Sequence, residues 1–131
     1  MNIKKTANLL LNFTVRRLAE IFGILISLAG GILLLALITY SPNDPNFIFP
    51  ENTKIENLMG FHGSFVSDLL FQSVGLMAYL IPFTLLITGI NILKTKDFFL
   101  IIENNFFTIL YLISGTLFLI NYYSNTYSIF V

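Results

Sequence analysis

Ionisable side chains are scarce in this chain, and Asp68, Glu103 and His62 are the candidates for proton chemistry among them. Asp68 and Glu103 each stand at the edge of a long apolar run, and His62 is the one histidine in 131 residues. Carboxylates inside membrane spans relay protons in pumps, and a histidine can change charge near neutral pH. A pump carboxylate lies in the middle of a helix, whereas both of these acids lie near helix ends. We therefore expect capping and interface roles for Asp68 and Glu103, a loop position for His62, and no active site.

The sequence also lacks the residues and motifs that other kinds of reactive site require. The chain has no cysteine, which excludes disulfides and thiolate metal sites. It has no G-x-x-x-x-G-K-[ST] loop that would cradle nucleotide phosphates. The net charge of zero argues against a nucleic-acid surface. The sequence therefore predicts a chain without catalytic residues, bound cofactor or metal.

Composition indicates that lipid is the solvent for much of the chain. Hydrophobic residues make up 56% of it and charged residues 11%, with a mean hydropathy of +0.81. An average soluble domain has about 25% charged residues, so a soluble fold this short would lack polar residues for its surface. We expect an all-α, multi-pass transmembrane domain with the lipid bilayer as its first partner.

Three apolar runs predict three spanning helices. The first is expected at about 21–40, which at 1.5 Å per residue gives about 30 Å, the thickness of the hydrocarbon core. Pro42 ends it, because proline disfavours helix in the residue before it. The second helix is expected at about 65–93, with a kink at Pro82. The third is expected at about 104–123.

A polar connection over 41–63 leads into the second helix, and it is longer than most loops. Gly60 and Gly63 are expected to hinge its end. Ser64 is expected to cap the helix N-terminus through its hydroxyl oxygen, and Asp68 to lie in or just past the first turn, where the helix dipole favours a negative charge.

Small residues recur every four positions along one face of the first helix, at Gly23, Ser27 and Gly31. In lipid, small residues let two helices approach closely and gain dispersion contacts. We therefore expect a helix-packing face here. The sequence leaves open whether this face packs within one chain or between copies.

Positive charges predict the orientation, since Lys and Arg near spans stay in the cytoplasm. We expect a cytoplasmic N-terminal tail at 1–20, either an interfacial helix or a partly disordered segment. The membrane domain follows at 21–123, and a non-cytoplasmic tail at 124–131 is expected to be cut short. With the N-terminus in the cytoplasm, six of the seven Lys and Arg lie on that side, namely Lys4, Lys5, Arg16, Arg17, Lys94 and Lys96, against Lys54 alone outside.

Two motifs flank the middle of the polar connection. The first is S-P-N-D-P, from Ser41 to Pro45, and the second is N-L-M-G-x-x-G-S-F-V-S-D-L-L-F-x-x-x-G-L-M-A-Y-L-I-P, from Asn57 to Pro82. In order and spacing they resemble the N-terminal membrane domain of FtsK-type bacterial DNA translocases, the FtsK/SpoIIIE family. The resemblance begins at about Arg16 and departs at Ser64-Phe65, where the family more often has a small residue and tryptophan. The motif positions expected to matter structurally are Pro42, Asp44, Pro45, Gly60, Gly63, Asp68, Gly75 and Pro82.

This resemblance implies a four-helix membrane domain, a long linker and a cytoplasmic ATP-driven motor. The motor forms a hexameric ring that pumps double-stranded DNA, so ATP, Mg²⁺ and DNA belong to it and not to this chain. The membrane domain is expected in the bacterial inner membrane, at the division septum, in contact with other division proteins. There it would couple chromosome segregation to cell division.

Three hypotheses follow for the function. The first is the membrane anchor and interaction domain of a DNA translocase, with a fourth helix expected beyond the chain end, since three spans leave the C-terminus outside. The alternative is a complete three-helix protein that acts as an accessory subunit or transporter component. A third is an ion path through Asp68 and Glu103.

Overall fold

A computed structural model describes residues 3–45 and 54–128 of the chain. In chain order its elements are α1 (Ile3–Ile38), α2 (Gly60–Val74), a 3₁₀ segment (Gly75–Tyr79), α3 (Leu80–Thr95) and α4 (Phe99–Ser128). Three stretches of the described residues are long and apolar enough to cross a membrane. They are α1, the continuous stretch formed by α2, the 3₁₀ segment and α3, and α4. The all-α, three-span fold class is confirmed.

The first helix is longer than the sequence predicted. It begins at Ile3 and not near residue 21, so the described part of the expected tail, residues 3–20, is helical and continuous with the span. Arg16 and Arg17 interrupt the apolar run, but they do not interrupt helical hydrogen bonding, because both are good helix formers and no proline or glycine precedes Gly23. At 36 residues, α1 is about 54 Å long.

The second spanning unit is interrupted at Gly75 and not at Pro82. Gly75 has a φ of 59°, which ends α2 because L side chains rarely adopt that conformation. Pro82 is the third residue of α3, where its missing N–H would have had no partner within the helix. The expected kink at Pro82 is therefore wrong, and the tight 3₁₀ segment supplies the break instead.

A short turn joins α3 to α4. Lys96 takes the left-handed conformation, with a φ of 61°, and donates its N–H to the carbonyl of Ile92. The carboxylate of Asp97 then accepts the N–H of Phe99 at 2.9 Å, in the manner of a helix N-cap. The third span begins at Phe99 and continues to Ser128, beyond the predicted 104–123. Residues 46–53 of the predicted connection and 129–131 of the predicted tail lie outside the described residues.

Close packing of α1 against α3 forms the centre of the fold. A Cβ built on Gly30 would lie 3.0 Å from the Cβ of Leu85 and 3.0 Å from the backbone N of Leu86. One built on Gly23 would lie 3.0 Å from the carbonyl oxygen of Gly89. These glycines let the two backbones approach closely, as small residues do in membrane helix pairs.

The predicted packing face is shifted by one residue. Ser27 belongs to the contact, because a Cβ on Gly89 would collide with the Ser27 hydroxyl. Gly31 does not belong to it, since no heavy atom outside the local backbone of α1 lies within 4 Å of the place where its Cβ would be. One residue along a helix is a rotation of about 100°, which turns Gly31 away from α3 and Gly30 toward it. Packing of Gly31 against a second copy stays a prediction.

Polar side chains join α3 to α4 within the membrane. The Asn104 amide donates to the Thr88 hydroxyl at 2.9 Å, and the Thr108 hydroxyl lies 2.8 Å from that of Thr84. Such interhelical bonds stabilise membrane helix pairs by about 0.6–2 kcal/mol each. Thr108 is the one buried residue among the described side chains of α4, so α4 is held mainly along one edge.

We predict that Gly30→Val destabilises the fold by about 1–3 kcal/mol, because the added atoms would press into the backbone of α3. Unfolding of the purified chain in bilayer discs measures this loss. Gly31→Val is the matched control, since it carries the same change in helix propensity at a position with open space. Equal loss in the two variants would contradict the packing described here.

Candidate functional site

The densest polar cluster in the described residues lies where α1 ends and α2 begins. We call it the Asp44 cluster, and it comprises Thr39, Asp44, Asn57 and Ser64. One carboxylate oxygen of Asp44 accepts the N–H of Glu56 at 2.7 Å, and the other accepts the N–H of Asn57 at 2.9 Å. Asp44 is only 5% exposed. Hydrogen bonds to a charged acceptor are strong, so this carboxylate clamps two points of the chain that lie 12 and 13 residues away.

The side chain of Asn57 links the clamp to α1. Its amide nitrogen donates to the carbonyl of Ala36 at 2.9 Å, and its amide oxygen accepts the N–H of Met59 at 3.0 Å. The last carbonyls of a helix have no partner within it, and Ala36 lies in the last turn of α1. A Cβ on Gly63 would lie 2.5 Å from this amide oxygen, so glycine is required there.

Serine and threonine hydroxyls complete the cluster. Ser64 is buried and donates to the carbonyl of Pro45 at 3.1 Å, which holds the turn after α1 against α2. The hydroxyl of Thr39 accepts the N–H of Leu58 at 3.2 Å. Ser64 is thus not the N-cap that the sequence predicted, because α2 already begins at Gly60, where a φ of 66° suits glycine. Its hydroxyl binds another segment instead.

Asp68 forms a second polar group beside the cluster. Its carboxylate accepts the Tyr40 hydroxyl at 3.0 Å and the Gln72 amide at 2.7 Å. Burial raises the pKa of the Tyr40 phenol, and the hydrogen bond to Asp68 raises it further, so the phenol stays protonated as the donor. Asp68 is the ninth residue of α2 and lies in the third turn, further along than the sequence prediction of a position in or just past the first turn.

Comparison with known proteins gives this arrangement a family. Residues 15–129 match the family described as the 4TM region of DNA translocase FtsK/SpoIIIE.

The chain belongs to the FtsK/SpoIIIE family.

Individual relatives agree with this assignment. The chain is 34% identical over 79 residues to a protein of Caulobacter vibrioides named DNA translocase FtsK, and 39% identical over 83 residues to one of Vibrio vulnificus with the same name. The alignments cover 60% and 63% of this chain but only 10% and 8% of those relatives. No solved structure matches the chain. It is therefore similar to the membrane region of FtsK, a small part of each relative.

Most of the motif positions predicted from the sequence lie at or near the Asp44 cluster of this FtsK-family chain. Asp44, Pro45 and Gly63 are buried in or against it, Gly60 opens α2, and Pro42 is exposed in the preceding turn. Gly75 and Pro82 lie further along the second span, and Gly23, Ser27 and Gly31 lie on α1. A functional role for these residues stays a prediction.

Sequence reasoning missed two members of the polar network. Asn57 was the first letter of the second motif, but its role as a bridge to α1 was not foreseen, because an amide gives no signal of what it will bind. The sequence predicts Tyr40 only as the last residue of a span, whereas its hydroxyl donates to Asp68, 28 residues away. For Asn57, the one signal in the sequence was its spacing from Gly63 within the motif.

The chemistry available at this site is that of a structural clamp. Within the described residues, no group of three or more His, Asp or Glu side chains could hold a metal ion. Asp68 lies beside the end of α1, while Glu103 is the fifth residue of α4 and follows the turn at the other end of the spans. The lengths of the helices place Asp68 and Glu103 at opposite ends of the membrane spans. This separation does not favour an ion path between the two acids.

We predict that Asp44→Ala frees the connection between α1 and α2, because two charge-assisted hydrogen bonds are lost at a buried position. Each such bond contributes about 1.5–3 kcal/mol. Hydrogen exchange at the amides of Glu56 and Asn57 should become faster by at least about tenfold, which corresponds to ~1.4 kcal/mol. Asn43→Ala is the control at an exposed neighbouring position, and equal protection in both variants would contradict the clamp.

Proposed function

We propose that this chain is the membrane anchor and interaction domain of a DNA translocase that couples chromosome segregation to cell division. The observation that carries the proposal is the match of residues 15–129 to the membrane region of the FtsK/SpoIIIE family. The name that these relatives share, DNA translocase FtsK, supports the activity that we propose for the whole protein. The same match favours this function over a three-helix accessory subunit or transporter component.

The motor itself lies outside this chain in our proposal. The chain spans about a tenth of the relatives it matches, and the matched part is their membrane region. We assign ATP, Mg²⁺, DNA and assembly into a hexamer to the remainder of the protein. The membrane part then holds that motor at the inner membrane of the division septum.

The proposed orientation has the N-terminus of α1 in the cytoplasm. Arg16, Arg17 and Lys96 lie at one end of the spans, where Glu20 bridges Arg17 and Lys96. Positively charged residues favour the cytoplasmic side. Three spans place the end of α4 on the opposite side, so a motor that acts on DNA requires a fourth span after this one. The family's description as a 4TM region supports that expectation.

The Asp44 cluster then lies on the non-cytoplasmic side, and we propose that it holds the connection between α1 and α2 for contact with other division proteins. Two features support this: Asp44, Asn57 and Ser64 are buried and bonded to the backbone, and their bonds join Asp44 and Pro45 to the residues at the start of α2. A clamp of this kind fixes where the connection leaves α1 and where it meets α2, without taking part in binding itself.

Fusions at two positions test the orientation. A reporter that is active only outside the cytoplasm should work after residue 131 and fail after residue 97, because one span separates them. A fluorescent protein that matures only in the cytoplasm should give the reverse. Cytoplasmic fluorescence from a fusion after residue 131 would overturn the orientation and with it the need for a fourth span.

Septal placement tests the function. A fluorescent protein joined to the N-terminus of the chain should concentrate at division sites in the source bacterium. Asp44→Ala should lower that enrichment severalfold if the clamped segment contacts division proteins, and Asn43→Ala should leave it unchanged. Uniform fluorescence of the unmodified fusion around the cell membrane would be evidence against the anchor function.

A further inference from the structure

The first half of α1 projects beyond the rest of the fold. Every residue from Ile3 to Leu18 is exposed, and the first buried residue of the helix is Ala19. The bridge from Glu20 to Lys96, at 3.1 Å, marks the end of the α1–α3 contact. The helix continues past that bridge for about 25 Å. We call residues 3–18 the α1 extension.

The extension is too apolar to stand alone in water. Leu9, Leu10 and Leu11 are 63–64% exposed, and Phe13 is 59% exposed. An isolated helix of this length is marginally stable, and most helices in proteins are stabilised by packing of an apolar face. The extension therefore needs a partner that covers at least one of its faces.

One apolar stripe continues from the extension into the span. Its members alternate in steps of four and three residues, and all are exposed on a face of α1 turned away from Gly23, Ser27 and Gly30. Within the chain, Phe22 of this stripe also lies edge-on to the ring of Phe98 at 5.9 Å. Steps of four and three are the spacing of a coiled-coil seam. The stripe consists of Leu11, Val15, Leu18, Phe22, Leu25, Ala29 and Ile32.

The bilayer covers only the C-terminal part of this stripe, which lies within the span. Arg16, Arg17 and Glu20 place the membrane boundary near the start of the span, so Leu11, Val15 and Leu18 lie outside the hydrocarbon. A helix that lay flat on the membrane surface would have to bend sharply at that boundary. The α-helix is unbroken from Ile3 to Ile38, without a proline and with its first glycine at Gly23, so the extension leaves the membrane along the same axis.

A second copy of the chain fits all of these features. Copies inserted the same way hold their α1 helices parallel and in register, so each stripe faces an identical one. The charged residues near the boundary, Arg16, Arg17 and Glu20, point away from the stripe. Arg17 instead lies over the ring of Phe13 at 5.1 Å and pairs with Glu20 at 2.7 Å.

We propose that α1 is a self-association helix, through which two copies of this chain form a parallel pair along the stripe from Leu11 to Ile32. The pair begins outside the membrane and continues into it. This inference rests on the membrane placement of α1 alone, so it holds whether or not the N-terminus is cytoplasmic and whether or not the chain concentrates at the septum.

Cysteine crosslinking tests the proposal directly, because the chain has no cysteine of its own. Single variants Leu11→Cys, Val15→Cys and Leu18→Cys in bilayer vesicles should form disulfide-linked dimers on mild oxidation. Leu9→Cys, Phe13→Cys and Arg16→Cys, on other faces of the same turns, should form about tenfold fewer, since a seam brings only its own positions together. Uniform yields would mean random collision, and no dimers at the stripe would mean no such pair; either result overturns the proposal.

A second measurement separates loss of the seam from loss of apolar surface. In the Val15→Cys background, Leu11→Asn with Leu18→Asn should lower the dimer yield about tenfold. Leu9→Asn with Phe13→Asn removes a similar apolar area from the opposite face and should leave the yield unchanged. Equal loss in both double variants would show that general hydrophobic attraction, and not the stripe, holds the copies together. Far-ultraviolet circular dichroism checks that each variant remains helical.

Discussion

Close backbone contact between α1 and α3 is the interaction on which the rest of this membrane fold depends. Apolar side chains gain little by leaving lipid for the protein interior, so helix pairs in membranes are stabilised by dispersion and short polar contacts. Gly23 and Gly30 on one helix and Gly89 on the other remove the side chains that would keep the backbones apart. A change of one methyl group at this contact is therefore felt by both helices.

The position of α3 in turn fixes its neighbours. It sets the 3₁₀ segment beside the end of α1, where the Tyr79 hydroxyl donates to the carbonyl of Leu37 at 3.3 Å. It also carries Thr84 and Thr88, the residues that hold α4. Together with the amide of Asn57 on Ala36, these bonds supply partners for backbone and side-chain polar groups that lipid cannot solvate.

Large-scale features of this fold could be predicted from the sequence, because they follow from summed hydropathy. Three spans, their order and the family resemblance all came from apolar runs and from two motifs. The limits of the helices were harder, since Arg16 and Arg17 lower hydropathy without breaking a helix. The boundary at Gly75 was missed because a lone glycine inside an apolar run carries no mark of its φ angle, whereas Pro82 looks like a breaker wherever it lies.

Contacts between distant segments could not be predicted from local rules. Gly30 and Gly31 are equivalent to any local rule, and only the direction of α3 decides which of them packs. Ser64 has the residue type of an N-cap, but the carbonyl of Pro45 lies close enough to take its hydroxyl. The residues around Asp44 indicate a turn. They do not indicate that Glu56 and Asn57, 12 and 13 residues further along the chain, come back to bind its carboxylate.

The clamp at Asp44 has a consequence for how this family can vary. It joins the two ends of a connection of about a dozen residues, and the bonds that join those ends are made by Asp44, Asn57 and Ser64 with residues outside 46–53. Once the ends are fixed, each doubling of the enclosed length costs only about 0.6 kcal/mol. Insertions and epitope tags should therefore be accommodated after Pro45 and before Glu56 better than at the clamped residues themselves, and lineages can lengthen this stretch to suit new neighbours without redesigning the spans.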